Sequence, residues 1–337
     1  MSEDQLFIGV DSGTQGTKAV VFSREQGKII AEAYAEHQII ETQEGRREQE
    51  PIWWLEASTA VIGKVLKESY VSKQLIRAIG VSGQQHGMVA LDLDGNVIRP
   101  AKLWCDTETS QQCIEMTQKI GSAEKVIELI GNSIAAGFTA SKILWLKKHE
   151  PENYGRLATV LLPHDYINFW LTGEMKSEFG DASGTAYFDV RTRTWSKAIL
   201  DVIDDSGKLQ NCLPELIHSD APVGKIRAEI AEQFQLNPDV LVSSGGGDNM
   251  MAAIGTGNVT PGIVTASLGT SGTIYSFSNK PIVDRNGELA AFCSSTGGWL
   301  PLVCTMNVTV STELTRELLR LSVSDLNKTA SAAELGA

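Results

Sequence analysis

The chain has 337 residues, 29 Lys and Arg against 41 Asp and Glu, a net charge of −12 and 42% apolar residues. That length can bury more than one core. The acidic balance speaks against nucleic acid or an anionic membrane as partner, since both draw on clustered Lys and Arg, and it leaves a small phosphorylated ligand open.

The N-terminus, Met1-Ser2-Glu3-Asp4-Gln5, is too polar for a signal peptide. No apolar run approaches a membrane span. The five cysteines (Cys105, Cys113, Cys212, Cys293 and Cys304) are odd in number and lack CxxC spacing, which fits reduced thiols and a soluble, cytoplasmic protein.

In chain order, Leu6–Asp11 and Ala19–Phe22 are expected strands around a Gly-Thr turn, and Lys28–His37 is a third. Pro51 opens a helix whose apolar positions are Trp54, Ala57, Val61, Val65 and Leu66. Strands follow at Ile76–Val81 and Met88–Leu93, the latter turned by Asp94-Gly95 toward Val97-Ile98. Helices are expected over 107–119, 122–130 and 139–149, then a short strand at 158–162 and a helix over 164–171 closed by Gly173. Pro238–Ser244 holds a strand broken by Gly245-Gly246-Gly247, and Asp248 is placed to cap the next helix. Strands near 263–267, 274–277, 288–293 and 300–304 and helices near 310–321 and 324–335 complete the chain. A main boundary near Ser243 divides residues 1–243 from 244–337.

One motif occurs twice. Ser12-Gly13-Thr14-Gln15-Gly16-Thr17 returns as Leu268-Gly269-Thr270-Ser271-Gly272-Thr273. A single Gly-Thr hairpin is most simply a tight turn. Two matching copies suggest a duplicated unit whose tips aim backbone N–H groups and hydroxyls at phosphate from both sides. Asp11, directly before the first tip, can hold Mg²⁺ through water, and Lys18 can reach a phosphate as a point charge.

Asp248 follows three glycines that give a ligand room, and a helix N-terminus favours its ionised form. Ionised, it can take the proton of an attacking hydroxyl, although an ordinary Asp cap is the simpler reading of the local sequence and the two roles are compatible. Gln85 and His86, in a loop after Ser82-Gly83, offer an amide and an imidazole to a polyhydroxylated ligand. Trp104 and Asp106 offer an aromatic face beside a carboxylate, although a core role for the tryptophan is the simpler alternative.

Ile8–Thr14 with Lys18, and Ser267–Thr273, resemble the two phosphate motifs of the actin/Hsp70/sugar-kinase fold. Gly137–His149, together with Gly180–Thr185 and Phe188-Asp189, is similar to the signatures of the FGGY carbohydrate kinases. The resemblance implies an α/β architecture of duplicated ribonuclease H-like (actin-like ATPase) domains with a cleft between them, the second domain incomplete. It also implies ATP-dependent phosphorylation of a sugar. Ser82–Gly87 and Gly245–Asn249 are most similar to the branch acting on D-xylulose at its 5-hydroxyl, which gives D-xylulose 5-phosphate.

Carried onto this chain, the resemblance makes Asp248 the general base. Gln85, His86 and Asn249 would contact the sugar, with Trp104 and Asp106 lining its pocket. Asp11 would serve Mg²⁺, and Gly13, Thr14, Lys18, Gly269 and Thr270 the ATP phosphates. Asp106 is followed by Thr107-Glu108-Thr109 where many relatives carry an Arg. No Gly-rich adenosine segment or second signature is evident between Leu300 and Ala337, so a C-terminally truncated chain is expected. Another sugar specificity within the family, such as a different ketopentose or gluconate, stays open. So do a homodimer and a catalytically impaired sugar-binding chain.

Overall fold

The computed structural model describes residues 5–70, 72–269, 271–305 and 307–334. Its first lobe is built on a mixed sheet. Strands β1 (Leu6–Ser12), β2 (Gly16–Ser23) and β3 (Lys28–Glu36) form an antiparallel meander, and β4 (Ile76–Gly83) runs parallel to β1 on its other side. Beyond β4 lie the edge strand β5 (Pro222–Lys225) and β6 (Leu241–Ser243), giving the order β5-β6-β4-β1-β2-β3. The two-residue strand β7 (Gly246–Gly247) also pairs with β4.

Alternation explains which face is covered. Leu6, Ile8 and Val10 of β1 and Ala19 and Val21 of β2 point into one core. Helix α1 (Pro51–Glu68) lies on β2 and β3 and buries Trp54, Ala57, Val61, Val65 and Leu66, the stripe expected from its period. A separate helical layer, including α2 (Thr139–His149), packs around Met116, Val126, Ile130, Ile143 and Leu146. Helix α3 (Pro163–Thr172) packs on β4 and α1, and the single turn α4 (Phe179–Ala182) meets the second lobe.

Helix α5 (Asp248–Gly255) leads to a four-stranded antiparallel sheet. Its strands are β8 (Val264–Leu268), β9 (Gly272–Ser276), β10 (Ala290–Cys293) and β11 (Trp299–Thr305), in the order β8-β9-β11-β10. Helices α6 (Thr309–Leu318) and α7 (Val323–Ala332) follow, with no buried residue in either.

Several boundaries differ from expectation. The helix expected from 107 begins at Ser110. Only Val89–Leu91 of the 88–93 run is a strand, with a lone bridge from Leu91 to Val97. Asp248 is the first helical residue rather than the cap; Gly247 occupies the cap position, and no side chain closes it.

Candidate active site

Strand register assembles the first group of expected residues. Tyr34 lies opposite Lys18, Lys18 opposite Asp11, Asp11 opposite Ser82, and Ser82 opposite Gly246. Asp11 and Lys18 therefore stand side by side on one exposed face, at the end of β1 and the start of β2. The Ser82 hydroxyl donates to Asp11 Oδ1 at 2.6 Å.

The two Gly-Thr hairpins face one cleft of about 510 Å³, lined by Gly13, Thr14, Gln15, Gly16, Tyr34, Trp104 and, from the second hairpin, Ser271. The amides of Gly13 and Gly269 are used within their own turns, donating to the carbonyls of Gly16 and Ser271 at 3.0 and 2.9 Å. These two N–H groups therefore brace the turns, which differs from the expectation that they point outward. The Thr14 hydroxyl bridges to Gln84 Oε1 and accepts from the Trp104 indole, both at 3.0 Å. Gln84, part of the Ser82–Gly87 motif, also donates to Gln49, which did not stand out in the sequence. Thr270 lies outside the described residues.

Asp248 sits at the start of α5, partly exposed. Its Oδ1 accepts from the Asn249 amide at 2.8 Å and from Asn249 Nδ2 at 3.1 Å. Burial pushes its pKa up to about 7; the Asn249 amide opposes this, and the negative charges of Asp11 and Asp181 add to it. A carboxyl so poised changes protonation near neutrality, which suits a general base.

Asn249 is a junction. Its Nδ2 donates to Gln85 Oε1 at 2.7 Å, and its Oδ1 accepts from Thr273 Oγ1 of the second hairpin at 3.1 Å. Asp248, Asn249, Gln85 and Thr273 are thereby linked across 188 positions of sequence (85 to 273). The three glycines serve this closeness more than ligand access. Gly245 has φ +64°, and a Cβ there would strike the Val81 carbonyl; one on Gly247 would meet Gln85 Cγ at 2.7 Å. Those two spaces are filled by protein, correcting the expectation that these glycines open the backbone to a ligand.

Asp106 is also placed differently from expectation. It is fully buried, with Oδ2 accepting from Arg47 N at 3.0 Å and Lys102 Nζ at 3.1 Å, and Oδ1 from Glu108 N at 3.1 Å. Its oxygens are occupied by protein donors, so it braces the loop after Trp104 instead of lining a pocket. Glu48, Asp106 and Glu108 together have the spacing of a divalent-cation site. Lys102 Nζ, however, stands 3.0, 3.1 and 2.5 Å from the three. The cluster's charge is met by the lysine, together with Arg99 on Glu48 and Arg46 on Glu108.

A two-lobed α/β frame with paired glycine-threonine hairpins and a carboxylate near the cleft defines a phosphotransferase-type scaffold. Residues 6–255 match the N-terminal domain of the FGGY family of carbohydrate kinases, and the chain belongs to that family. It is 45% identical over 336 residues to a xylulose kinase of Haemophilus influenzae, covering 98% of this chain and 68% of that protein. A crystal structure of a xyloylose kinase from Brucella ovis superposes with a TM-score of 0.89 at 29% identity, over 96% of this chain and 66% of that one. A xylulose kinase from Bifidobacterium adolescentis gives 0.86 at 28%, over 99% and 71%. The chain spans 56 to 68% of the length of the curated relatives. No helix among the described residues is long and apolar enough to cross a membrane.

Proposed function

We propose that the protein phosphorylates D-xylulose at its 5-hydroxyl with ATP, Asp248 acting as the general base. The observation that carries this reading is the Asp248 carboxyl, poised near pH 7 and hydrogen-bonded through Asn249 to both the Gln85 loop and the second hairpin. The relatives named above as xylulose kinases supply the sugar.

Gln85, His86 and Asn249 would hold the sugar, with the Trp104 face at the cleft wall. The backbone and hydroxyl groups around Gly13, Thr14, Gly269 and Thr270, with Lys18, would hold the phosphates. Asp11 fits a hydrated Mg²⁺: it is exposed, and among the described residues only its Oδ1 is engaged, by Ser82. The ion, when bound, neutralises phosphate charge. In the transfer step the hydroxyl proton passes to Asp248, the freed oxygen bonds to the γ-phosphorus, and the bond to ADP breaks with its electron pair leaving on ADP.

A panel of ketopentoses, pentitols and gluconate in a coupled ADP-release assay on the intact protein tests the assignment. D-xylulose is expected to give the highest kcat/KM. A different sugar preferred by about tenfold, equivalent to about 1.4 kcal/mol, would reject the specificity.

A further inference from the structure

His86 is held by almost every handle it has. Its backbone sits in the left-handed region at φ +60°, costly for a residue with a side chain. Its carbonyl accepts from Lys142 Nζ at 2.7 Å and Thr139 Oγ1 at 3.2 Å, both on α2. The ring lies against Phe138 and Phe292, centroids 5.0 and 5.3 Å away, and over Gly184, where any Cβ would collide with it. Nδ1 stands 3.3 Å from Asp181 Oδ1, within ion-pair reach but too poorly aligned for a hydrogen bond, and no protein group among the described residues pairs with Nε2.

Asp181 is fixed from its other side. His164 Nδ1 is 2.8 Å from Asp181 Oδ2, and His164 Nε2 is 2.9 Å from Asp165 Oδ1. All four residues of this His86–Asp181–His164–Asp165 chain are buried. Burial disfavours charge on His164, but the carboxylates of Asp165 and Asp181 outweigh it and hold the ring well above its usual pKa. A protonated imidazole carries a hydrogen on each nitrogen, so Nδ1 donates to Asp181 Oδ2. Burial also works against the Asp181 anion, yet His164 and His86 hold its pKa down to about 2. Burial lowers the pKa of His86 despite Asp181 beside it, so that ring is neutral with one proton to place.

We infer that Asp181 is a positioning residue that sets His86 in the Nδ1–H tautomer, leaving Nε2 as a lone-pair acceptor for a ligand hydroxyl. An ionised carboxylate can only accept, so its field 3.3 Å from Nδ1 favours the hydrogen on that nitrogen over Nε2. On the sugar reading above, the hydroxyl at Nε2 donates, and a carbonyl or carboxylate oxygen at that point meets lone-pair repulsion. Asp181 thus helps select the polyhydroxylated ligand without touching it.

Asp181→Asn gives a sharp test. With His164 still a donor, the amide must turn its oxygen to His164 and its NH₂ to His86. His86 is then forced into the Nε2–H form, the wrong tautomer for accepting. The ¹⁵N shifts of the His86 ring, assigned by difference from His86→Gln, report this directly in the intact protein. Nδ1–H in the unsubstituted protein and Nε2–H in Asp181→Asn are expected, with D-xylulose affinity by calorimetry falling about tenfold or more. An Nε2–H ring in the unsubstituted protein, a measurement independent of any variant's folding, overturns the proposal; so does an unchanged tautomer in Asp181→Asn. A tautomer switch with no sugar bound by the unsubstituted protein upholds the Asp181–His86 link but rejects the sugar reading and, with it, the assigned ligand.

Discussion

The two sheets differ in how they are covered. In the first, Leu6, Ile8, Ala19 and Val21 are closed off beneath α1 and its neighbours. The second is covered in part: Tyr275, Phe292, Leu300 and Leu302 pack against Met250 and Ala253 of α5. Its strand β10 docks on the first lobe, where Asn132 Oδ1 accepts from Ala291 N at 2.7 Å and Ser183 Oγ from Cys293 N at 2.9 Å. At the opposite edge Val264 and Leu268 of β8 are 65 and 66% exposed. Side chains of similar type therefore carry different energetic weight in the two sheets. The β10 edge holds Phe292 against His86, while the β8 edge contributes little to burial within this chain.

The largest stability effect should come from the first lobe's buried charges. Lys102→Met leaves the buried Asp106 without a cation, with Glu48 and Glu108 held only by Arg99 and Arg46, and should cost about 3–5 kcal/mol in denaturant unfolding. Ile8→Ala opens a cavity under the first sheet and should cost about 2–5 kcal/mol. Asn132→Leu strips the buried Ala291 amide of its acceptor and should cost about 1–3 kcal/mol, with weakened docking of β10 visible as faster amide exchange at Ala291. Leu268→Ala on the open edge should stay within about 0.5 kcal/mol. An equal loss from Ile8→Ala and Leu268→Ala would remove the contrast between the sheets.

Much of this organisation was legible in the chain. The α1 stripe, the helix over 139–149 and the repeated hairpin follow from period, capping and turn chemistry. The stretch between Gly173 and Pro238 was not, because strands such as Lys176–Glu178 and Phe188–Asp189 are too short to show alternation. Asp248 and Gln85 stood out from local motifs, but their link through Asn249 to Thr273 requires the folded register. Asp106 looked like a pocket carboxylate because nothing local reveals Glu48, 58 residues earlier, or the lysine that holds both. The Asp181–His86 contact spans 95 residues and had no sequence signal beyond the Gly180–Thr185 motif.

The raised Asp248 pKa gives two pH trends of opposite sense. Catalysis needs the anion, so kcat/KM should fall about tenfold per unit below pH 7 and level off above it. Folding favours the neutral form. Its contribution to stability is fully present below the ordinary carboxyl pKa and is lost as pH rises through about 7. Asp248→Asn should flatten that decline in thermal unfolding.

The same variant tests the central claim most directly. Single-turnover transfer from ATP to D-xylulose in the intact protein, with sugar affinity measured alongside by calorimetry, separates chemistry from binding. Asp248→Asn is expected to slow transfer by about 10²–10⁴-fold with sugar affinity nearly unchanged. Transfer close to the unsubstituted rate would contradict Asp248 as the base.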